Sequence, residues 1–487
     1  MNIFFVILIG LLISFFGFYL RIRKKDQGVD SWYYLSCVRE FKRSKIIPVK
    51  LPNYLLDIEE QWYPPGFVVF LSIFPFNSLK KYRGLISPLI DALQLAIVYF
   101  FAYFITHSVA VAVLSGIIYA LTYTLIVENS NLNSRGFGSL LFSLTLVFLY
   151  EFISTQNIWW LVAVLVFGFF LLMSHKMAVQ ALTFLLFGFA VIFYDWRYLA
   201  ILAAIFLLAF VFSKGFYLKI LKGHKEILIF WKKNLVKLRA HQIYHSSIYQ
   251  GKGKKNFSVF HQEGISGFLM HTKRLIGHNP WIVFIIFLAL PLINSSLLIK
   301  FLFSWLVLVY FLIALTTYFS PFRFLGEGYK YIKFAIFPQS LLIGILVTRN
   351  YSFLWLFIFI ALISLYVILK VFRPVSEKKN ANLEEIIKAI KESPRGATMC
   401  LPANLSDIIT FFTKKKVLWG THSSGWDEVE DFFPVLKKPV EYFFEKYNLN
   451  FLLLAKDFVE EKDLRLSSNF NKLLENTDYL LFEYKKV

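Results

Sequence analysis

Charge is what this chain has least of: 17% of its 487 residues are charged and 57% are hydrophobic, with a mean hydropathy of +0.59, whereas a soluble chain carries about 25% charge. Cysteine is scarcer still. Cys37 and Cys400 are too few and too far apart to make a disulfide framework or a thiolate metal site. Acids are rare in residues 1–373, where 13 Asp and Glu face 35 Lys and Arg; from Pro374 onward 18 face 17. No internal repeat of the kind found in many transporters is visible, and no soluble basic module that would bind nucleic acid. The segment after Pro374 holds neither a Gly-rich phosphate loop nor a nucleophile motif.

What is abundant is apolar sequence of membrane-spanning length, so the chain reads as an all-α polytopic membrane protein. Spans are expected at 3–20, 85–105, 109–127, 136–153, 158–173, 177–194, 198–213, 281–298, 301–319, 334–348 and 352–371, eleven in number. The first ends in Arg21, Arg23, Lys24 and Lys25 with no small-residue cleavage site, so it reads as a retained helix. Residues 66–76 are apolar but too short to cross upright and read as a re-entrant or juxtamembrane helix. Past Pro374 a helical pattern at 382–393 and strand-like runs at 398–401, 417–418, 451–454 and 479–482 predict a small soluble α/β domain over 374–487, following a membrane domain over 1–373. Its expected role is structural or acceptor-positioning. Eleven spans gather the first loop (21–84), residues 128–135, 174–176, the basic loop 214–280, residues 320–333 and the C-terminal domain on one face, expected to be the extracytoplasmic face of the cell membrane. The basic run after the first span runs against the positive-inside rule in that orientation.

Six of the thirteen acids in 1–373 lie in the first loop, which contains Gly28-Val29-Asp30-Ser31-Trp32-Tyr33-Tyr34; Trp62-Tyr63-Pro64-Pro65-Gly66-Phe67 follows thirty residues later. An Asp after the first helix, then Tyr-Pro-Pro opening an apolar helix, within this hydropathy layout, resembles the glycosyltransferase C (GT-C) superfamily, which includes protein mannosyltransferases and aminoarabinose transferases. The resemblance implies an inverting hexosyl- or pentosyltransferase with a polyprenyl-phosphate or polyprenyl-diphosphate sugar donor and a lipid, glycan or protein acceptor. It also implies that Asp30 acts as base or metal-associated carboxylate. Read from the residues alone, Asp30 would equally serve as a helix N-cap ahead of Ser31. Some relatives use a divalent metal, Mg or Mn, for which Asp30 with Glu128 or Glu327 is the ligand set to test.

Transfer from a lipid-phosphate sugar needs a base for the acceptor and cations for the leaving phosphate. Candidates for substrate and phosphate contact are Tyr63, Arg135, His175, Lys176, Arg323 and Lys330, with Lys333 beside them. The stretch Phe322-Arg323-Phe324-Leu325-Gly326-Glu327-Gly328-Tyr329-Lys330-Tyr331 resembles a Glu...Arg-Tyr pattern of prokaryotic members, with Lys330 where Arg is usual. Lysine keeps the charge but loses the bidentate fork, and Arg323 is the residue placed to substitute. The bland alternatives are cations snorkelling at helix ends and, for His175-Lys176, a polar turn between two helices.

The loop 214–280 carries six of the nine histidines and 13 Lys and Arg against two acids. Only His241 and His245 have helical ligand spacing, and one pair makes no zinc site; a mobile loop handling lipid phosphate is the reading. The surplus cations suit anionic membrane lipids as well as an anionic substrate. The rivals are a lipid or polysaccharide transporter and a catalytically inactive scaffold.

Overall fold

The computed structural model describes residues 3–23, 29–56, 62–235, 242–243, 264–288, 296–371, 377–394, 396–420, 426 and 428–486. In chain order the first helices are α1 (Ile3–Ile22), α2 (Val29–Ser44), α3 (Gly66–Ser72), α4 (Phe76–Thr106), α5 (Val109–Ala120), α6 (Tyr123–Asn129), α7 (Ser134–Thr155), α8 (Ile158–Leu172), α9 (Lys176–Ile192), α10 (Arg197–Phe212), α11 (Phe216–Asn234) and α12 (Gly264–His278). Helices Leu297–Tyr318, Ile336–Arg349 and Phe353–Val371 follow. The chain forms two compact units from interleaved segments: Met1–Asp26, Lys81–Leu218 and Phe268–Pro374 make the first, and Gln27–Lys80, Lys219–Gly267 and Val375–Val487 the second.

The first unit is helical, and the protein is a multi-pass membrane protein. Among the described residues, five helices are long and apolar enough to cross a membrane, or up to eight if each bent pair is one span; α8 and α9 are shorter apolar helices. The segment expected at 109–127 is broken: α5 and α6 meet at 56°, where Thr122 is extended and its hydroxyl donates to the Ile118 carbonyl at 2.7 Å. The segment expected at 334–348 is preceded by a 3₁₀ turn, Gly328–Phe334, bent 63° from Ile336–Arg349. At 281–298 the described part is not one α-helix. It opens as a 3₁₀ turn at Pro280, Ile282 bonding back to Asn279, before a short α turn Ile285–Leu288; residues 289–295 lie outside the described residues. The loop expected over 214–280 is helical at both ends, as α11 and α12.

Arg21 does not belong to a surface basic run. It is fully buried, ion-paired with Asp91 of α4, and donates to the carbonyls of Gly17 at 2.9 Å and Ala120 at 3.2 Å. Asp91 in turn accepts from Tyr119 at 2.7 Å and Asn129 at 2.8 Å, tying together both sides of the α5–α6 bend. A buried charge stripped of its partner is strongly destabilising. We expect Asp91→Ala to cost about 3 kcal/mol, read as a fall in thermal stability in detergent, with Asp91→Asn less affected because the hydrogen bonds survive. Equal stability of all three proteins would refute the anchoring role.

The second unit holds a four-stranded sheet, β1 (Thr398–Leu401), β2 (Phe451–Ala455), β3 (Phe470–Glu475) and β4 (Tyr479–Tyr484), in the order β1-β2-β4-β3. β1 and β2 are parallel and the other pairs antiparallel. The runs at 398–401, 451–454 and 479–482 are strands; 417–418 is instead a bridging segment, Val417 pairing with both Thr398 and Tyr54. β3 was not expected: five of its six residues keep some or full exposure and it mixes Asn471, Lys472 and Glu475 with its apolar residues. The core joins Met399, Leu401, Trp419, Phe443, Leu452 and Phe482 to Leu56, Trp62 and Phe230, so this unit takes in the first loop and α11 as well as the chain after Pro374.

Candidate functional site

In the first unit, short polar connections hold a set of charged side chains. Asn133 caps α7 by accepting from the Arg135 amide at 2.8 Å and donates to the carbonyls of Glu128 at 2.6 Å and Asn131 at 3.0 Å, which fixes the turn between α6 and α7. His175 caps α9, its Nδ1 accepting from the Ala178 amide at 3.3 Å, which sets Lys176 on the first helical turn. A Cβ at Gly138 would collide with the His175 side chain, so the glycine permits that packing. The 3₁₀ turns Ser320–Leu325 and Gly328–Phe334 carry Arg323, Lys330 and Lys333, with Glu327 between them.

Lys333 Nζ lies 2.8 Å from Glu128 Oε2, both side chains nearly excluded from solvent. Glu327 accepts from Arg274 of α12 at 3.3 Å and lies 3.8 Å from Lys330 Nζ. Arg274 lies 4.2 Å from the Tyr329 ring centroid, and the His278 ring lies 4.4 Å from it. Lys176 is half-buried, and the charges of Lys330 and Arg135 act on it. Among the described residues its ammonium has no acidic partner. Among the described residues, Arg135, Lys176, Arg274, Lys330 and Lys333 are gathered with the acids Glu128 and Glu327. Like charges gathered where water is partly excluded raise each other's energy; an anion relieves it. Arg323 is buried and its Nε donates to the Thr317 carbonyl at 3.2 Å, so part of its function is to hold its own turn.

In the second unit Asp30 stands on the first turn of α2, half-buried, one residue inside the helix rather than at its N-cap. Ser31, Tyr33 and Tyr34 beside it are buried. Tyr33 and Cys37 of α2, Pro48, Val49, Val68 and the Tyr63-Pro64-Pro65 segment line a cavity of about 20 Å³, room for roughly one water molecule. Tyr34 packs edge-on to Phe67 with centroids 5.1 Å apart. Asp26, Asp57, Glu59, Glu60, His241, His245 and His261 lie outside the described residues.

No group of three His, Cys, Asp or Glu able to hold a metal occurs among the described residues. Glu128 neutralises Lys333, and Glu327 is shared by Arg274 and Lys330. A carboxylate so engaged coordinates a divalent ion only if its cation gives way.

Arg274 and His278 were not among the residues expected at the site. Their i, i+4 spacing at the end of the amphipathic stretch 264–278 was the signal available. Burial, with Arg274 next to it, holds the His278 imidazole down to about 4 even though Glu128 and Glu327 pull the other way. The unfolded chain titrates near 6.5, so the unfolded state takes up the extra proton as pH falls. Stability tied to this group is intact above about pH 6.5 and declines toward pH 4. Thermal unfolding from pH 7 to 4.5 should therefore fall more steeply for the wild type than for His278→Asn; parallel curves would refute the assignment.

No family model matches the chain, and no curated protein matches it. Among solved structures, the oligosaccharyltransferase AglB of Archaeoglobus fulgidus in complex with an inhibitory peptide and a dolichol-phosphate is similar at a TM-score of 0.60 and 11% identity, over 93% of this chain and 69% of that one. The A. fulgidus oligosaccharyltransferase complex with Zn and sulfate gives 0.58 and 13%, over 92% and 68%. The form tethered with an acceptor peptide containing the NVT sequon gives 0.60 and 12%, over 93% and 69%. At these identities the likeness is one of fold.

Proposed function

We propose that this chain, whose fold is that of the GT-C superfamily, is a membrane glycosyltransferase that draws its sugar from a polyprenyl-phosphate or polyprenyl-diphosphate carrier. The observation that carries this reading is Lys176, half-buried under the charges of Lys330 and Arg135 and without an acidic partner among the described residues. A neutral substrate would leave that repulsion standing, whereas a phosphate leaving group disperses it and is itself stabilised as charge develops. The dolichol-phosphate and the sulfate bound by the fold neighbours are anions of the same chemistry.

In this reading Lys176, Arg135 and Lys330 take the leaving phosphate, with His175 and Asn133 holding the first two of these helix starts in place. Lys333 is committed to Glu128, and Arg274 and Lys330 share Glu327, so those acids set how much positive charge remains for the ligand. Arg323 supports its turn. Asp30 takes the proton from the acceptor nucleophile, which attacks the anomeric carbon as the phosphate departs, giving inversion in a single displacement. Tyr63 belongs to the wall beside Tyr33 on the same helix as Asp30. The acceptor is a glycan, lipid or protein, the membrane is the cell membrane, and the working face is extracytoplasmic.

Farnesyl phosphate tests the phosphate reading without knowledge of the sugar. It should raise the melting temperature of the purified protein more than farnesol does. Lys176→Ala should weaken that binding by about ten- to a hundredfold, the loss of one charged contact of about 1.5 to 3 kcal/mol. Equal stabilisation by farnesol, or undiminished binding by the variant, would defeat the proposal.

A further inference from the structure

The helix that carries Asp30 is held on the side away from its cavity. On α2, Tyr33 and Cys37 follow Asp30 at i+3 and i+7 and line that cavity, while Trp32 and Arg39 lie about half a turn round. Those two meet the helix Ser406–Thr413 of the C-terminal segment. The Trp32 ring lies 5.0 Å from Phe411 and 4.8 Å from Phe412 between centroids, and the two phenylalanines are edge-to-face at 5.2 Å. The Arg39 guanidinium sits 5.1 Å over the Phe411 ring and donates to the Phe411 carbonyl at 3.4 Å. Lys80 Nζ lies 5.8 and 5.6 Å from the same two rings.

The clamp is itself anchored. Asp407, fully buried one turn before Phe411, accepts from Tyr54 of the first loop at 2.8 Å. Beside it the backbone of residues 53–56 is stitched to 417–418: Val417 donates to Asn53, Leu55 to Val417 and Leu56 to Leu418, at 2.8 to 3.1 Å. Gly420 is needed here, since a Cβ there would strike the Tyr54 ring. The first loop is thus fastened to the C-terminal segment at two points, behind α2 and at Tyr54.

We propose that Phe411, Phe412 and Asp407 are positioning residues for Asp30: the C-terminal segment braces α2 from behind so that its first turn, which an unsupported helix end would fray, keeps the carboxylate in one place. This rests on the reading of Asp30 as the base. A reacting group must be held to within about 0.5 Å, and a first-turn side chain meets that demand only if its helix is fixed. The C-terminal segment is then part of the catalytic apparatus without touching substrate.

The test uses the full chain in lipid nanodiscs, with tritiated dolichyl-phosphate mannose and undecaprenyl-phosphate glucose as donors and loss of label from the lipid phase as turnover. Amide exchange over residues 29–44 reports the order of α2, and farnesyl phosphate affinity reports the cation cluster. The double variant Phe411→Ala, Phe412→Ala should speed α2 exchange and cut turnover, each by about tenfold or more, with farnesyl phosphate affinity unchanged. Phe411→Leu, Phe412→Leu should recover most of both. Should the alanine variant not fold, Arg39→Gln and Lys80→Gln carry the test, each expected to lower turnover about two- to fivefold with faster α2 exchange. Faster exchange with full turnover overturns the proposal, as does lost turnover with unchanged exchange. Asp30→Asn, run alongside, separates the two failures: if it is inactive while the clamp variants stay active, only the bracing is wrong. If it is fully active, or if the wild type consumes neither lipid, the reading of Asp30 falls and the bracing role falls with it.

Discussion

Asp30→Asn should stay folded in detergent and lose sugar transfer by about a hundredfold or more. Asparagine keeps the size and hydrogen-bonding outline of aspartate but cannot take the acceptor proton. The structure sharpens the contrast with a structural role. Asp30 lies on the first turn of α2, inside the helix, where a negative side chain interacts with the helix dipole for about 0.3 to 1 kcal/mol. Removing that charge is a small change in stability, whereas removing a base is a large change in rate. A variant with slightly lower melting temperature and wild-type turnover would make Asp30 a helix-terminus residue and turn attention to Asp26 or to Asp57, Glu59 and Glu60. A wild type that binds farnesyl phosphate but transfers no sugar from any polyprenyl carrier would favour a transporter.

The second large effect is expected at Glu128. Its carboxylate is the partner of Lys333 at 2.8 Å, both nearly inaccessible, and Arg135 and Lys330 add positive charge nearby. Glu128→Ala leaves Lys333 buried among like charges and should cost about 3 to 5 kcal/mol, seen as a large drop in melting temperature or loss of folded protein. The double variant Glu128→Gln, Lys333→Met removes both charges with similar volumes and should be more stable than Glu128→Gln alone, because the burial penalty goes with the lysine. This also distinguishes an ion pair from a metal site. If Glu128 served chiefly as a metal ligand, the lysine change would restore nothing, and Mg or Mn would raise the melting temperature of the wild type only.

These predictions rest on features that were unequally legible in the sequence. Local composition carried the membrane class, since a run such as Ile3–Ile22 is apolar whatever surrounds it. It also carried three of the four strands, because Thr398–Leu401, Phe451–Ala455 and Tyr479–Tyr484 are short runs with apolar, β-forming centres. The polar connections at 128–135, 174–176 and 320–333 stood out as interruptions of apolar sequence, which is why Glu128, Arg135, Lys176, Glu327, Lys330 and Lys333 could be named. Their pairing could not. Whether Lys333 meets Glu128 or a phosphate depends on a contact 205 residues apart, and no local pattern encodes such a distance.

Arg21 shows the same limit most clearly. In sequence it heads a basic run and conflicts with the positive-inside rule; in the fold it is a buried partner of Asp91, so its charge is settled by a carboxylate 70 residues away. The break at Thr122 likewise follows from where side chains such as Thr122, Asp91 and Asn129 find hydrogen bonds once the helices pack. The segment at 417–418 reads as a strand from its residues but forms only isolated bridges, its backbone bonded to residues 53–56 on one side and to Thr398 on the other. Hydropathy, period and caps were readable along the chain because each is governed by neighbours within a turn or a strand. Tertiary structure alone decided which charges cancel, where helices bend and what braces Asp30, because burial makes a charge or a hydrogen-bonding group depend on a partner that chain order does not place beside it.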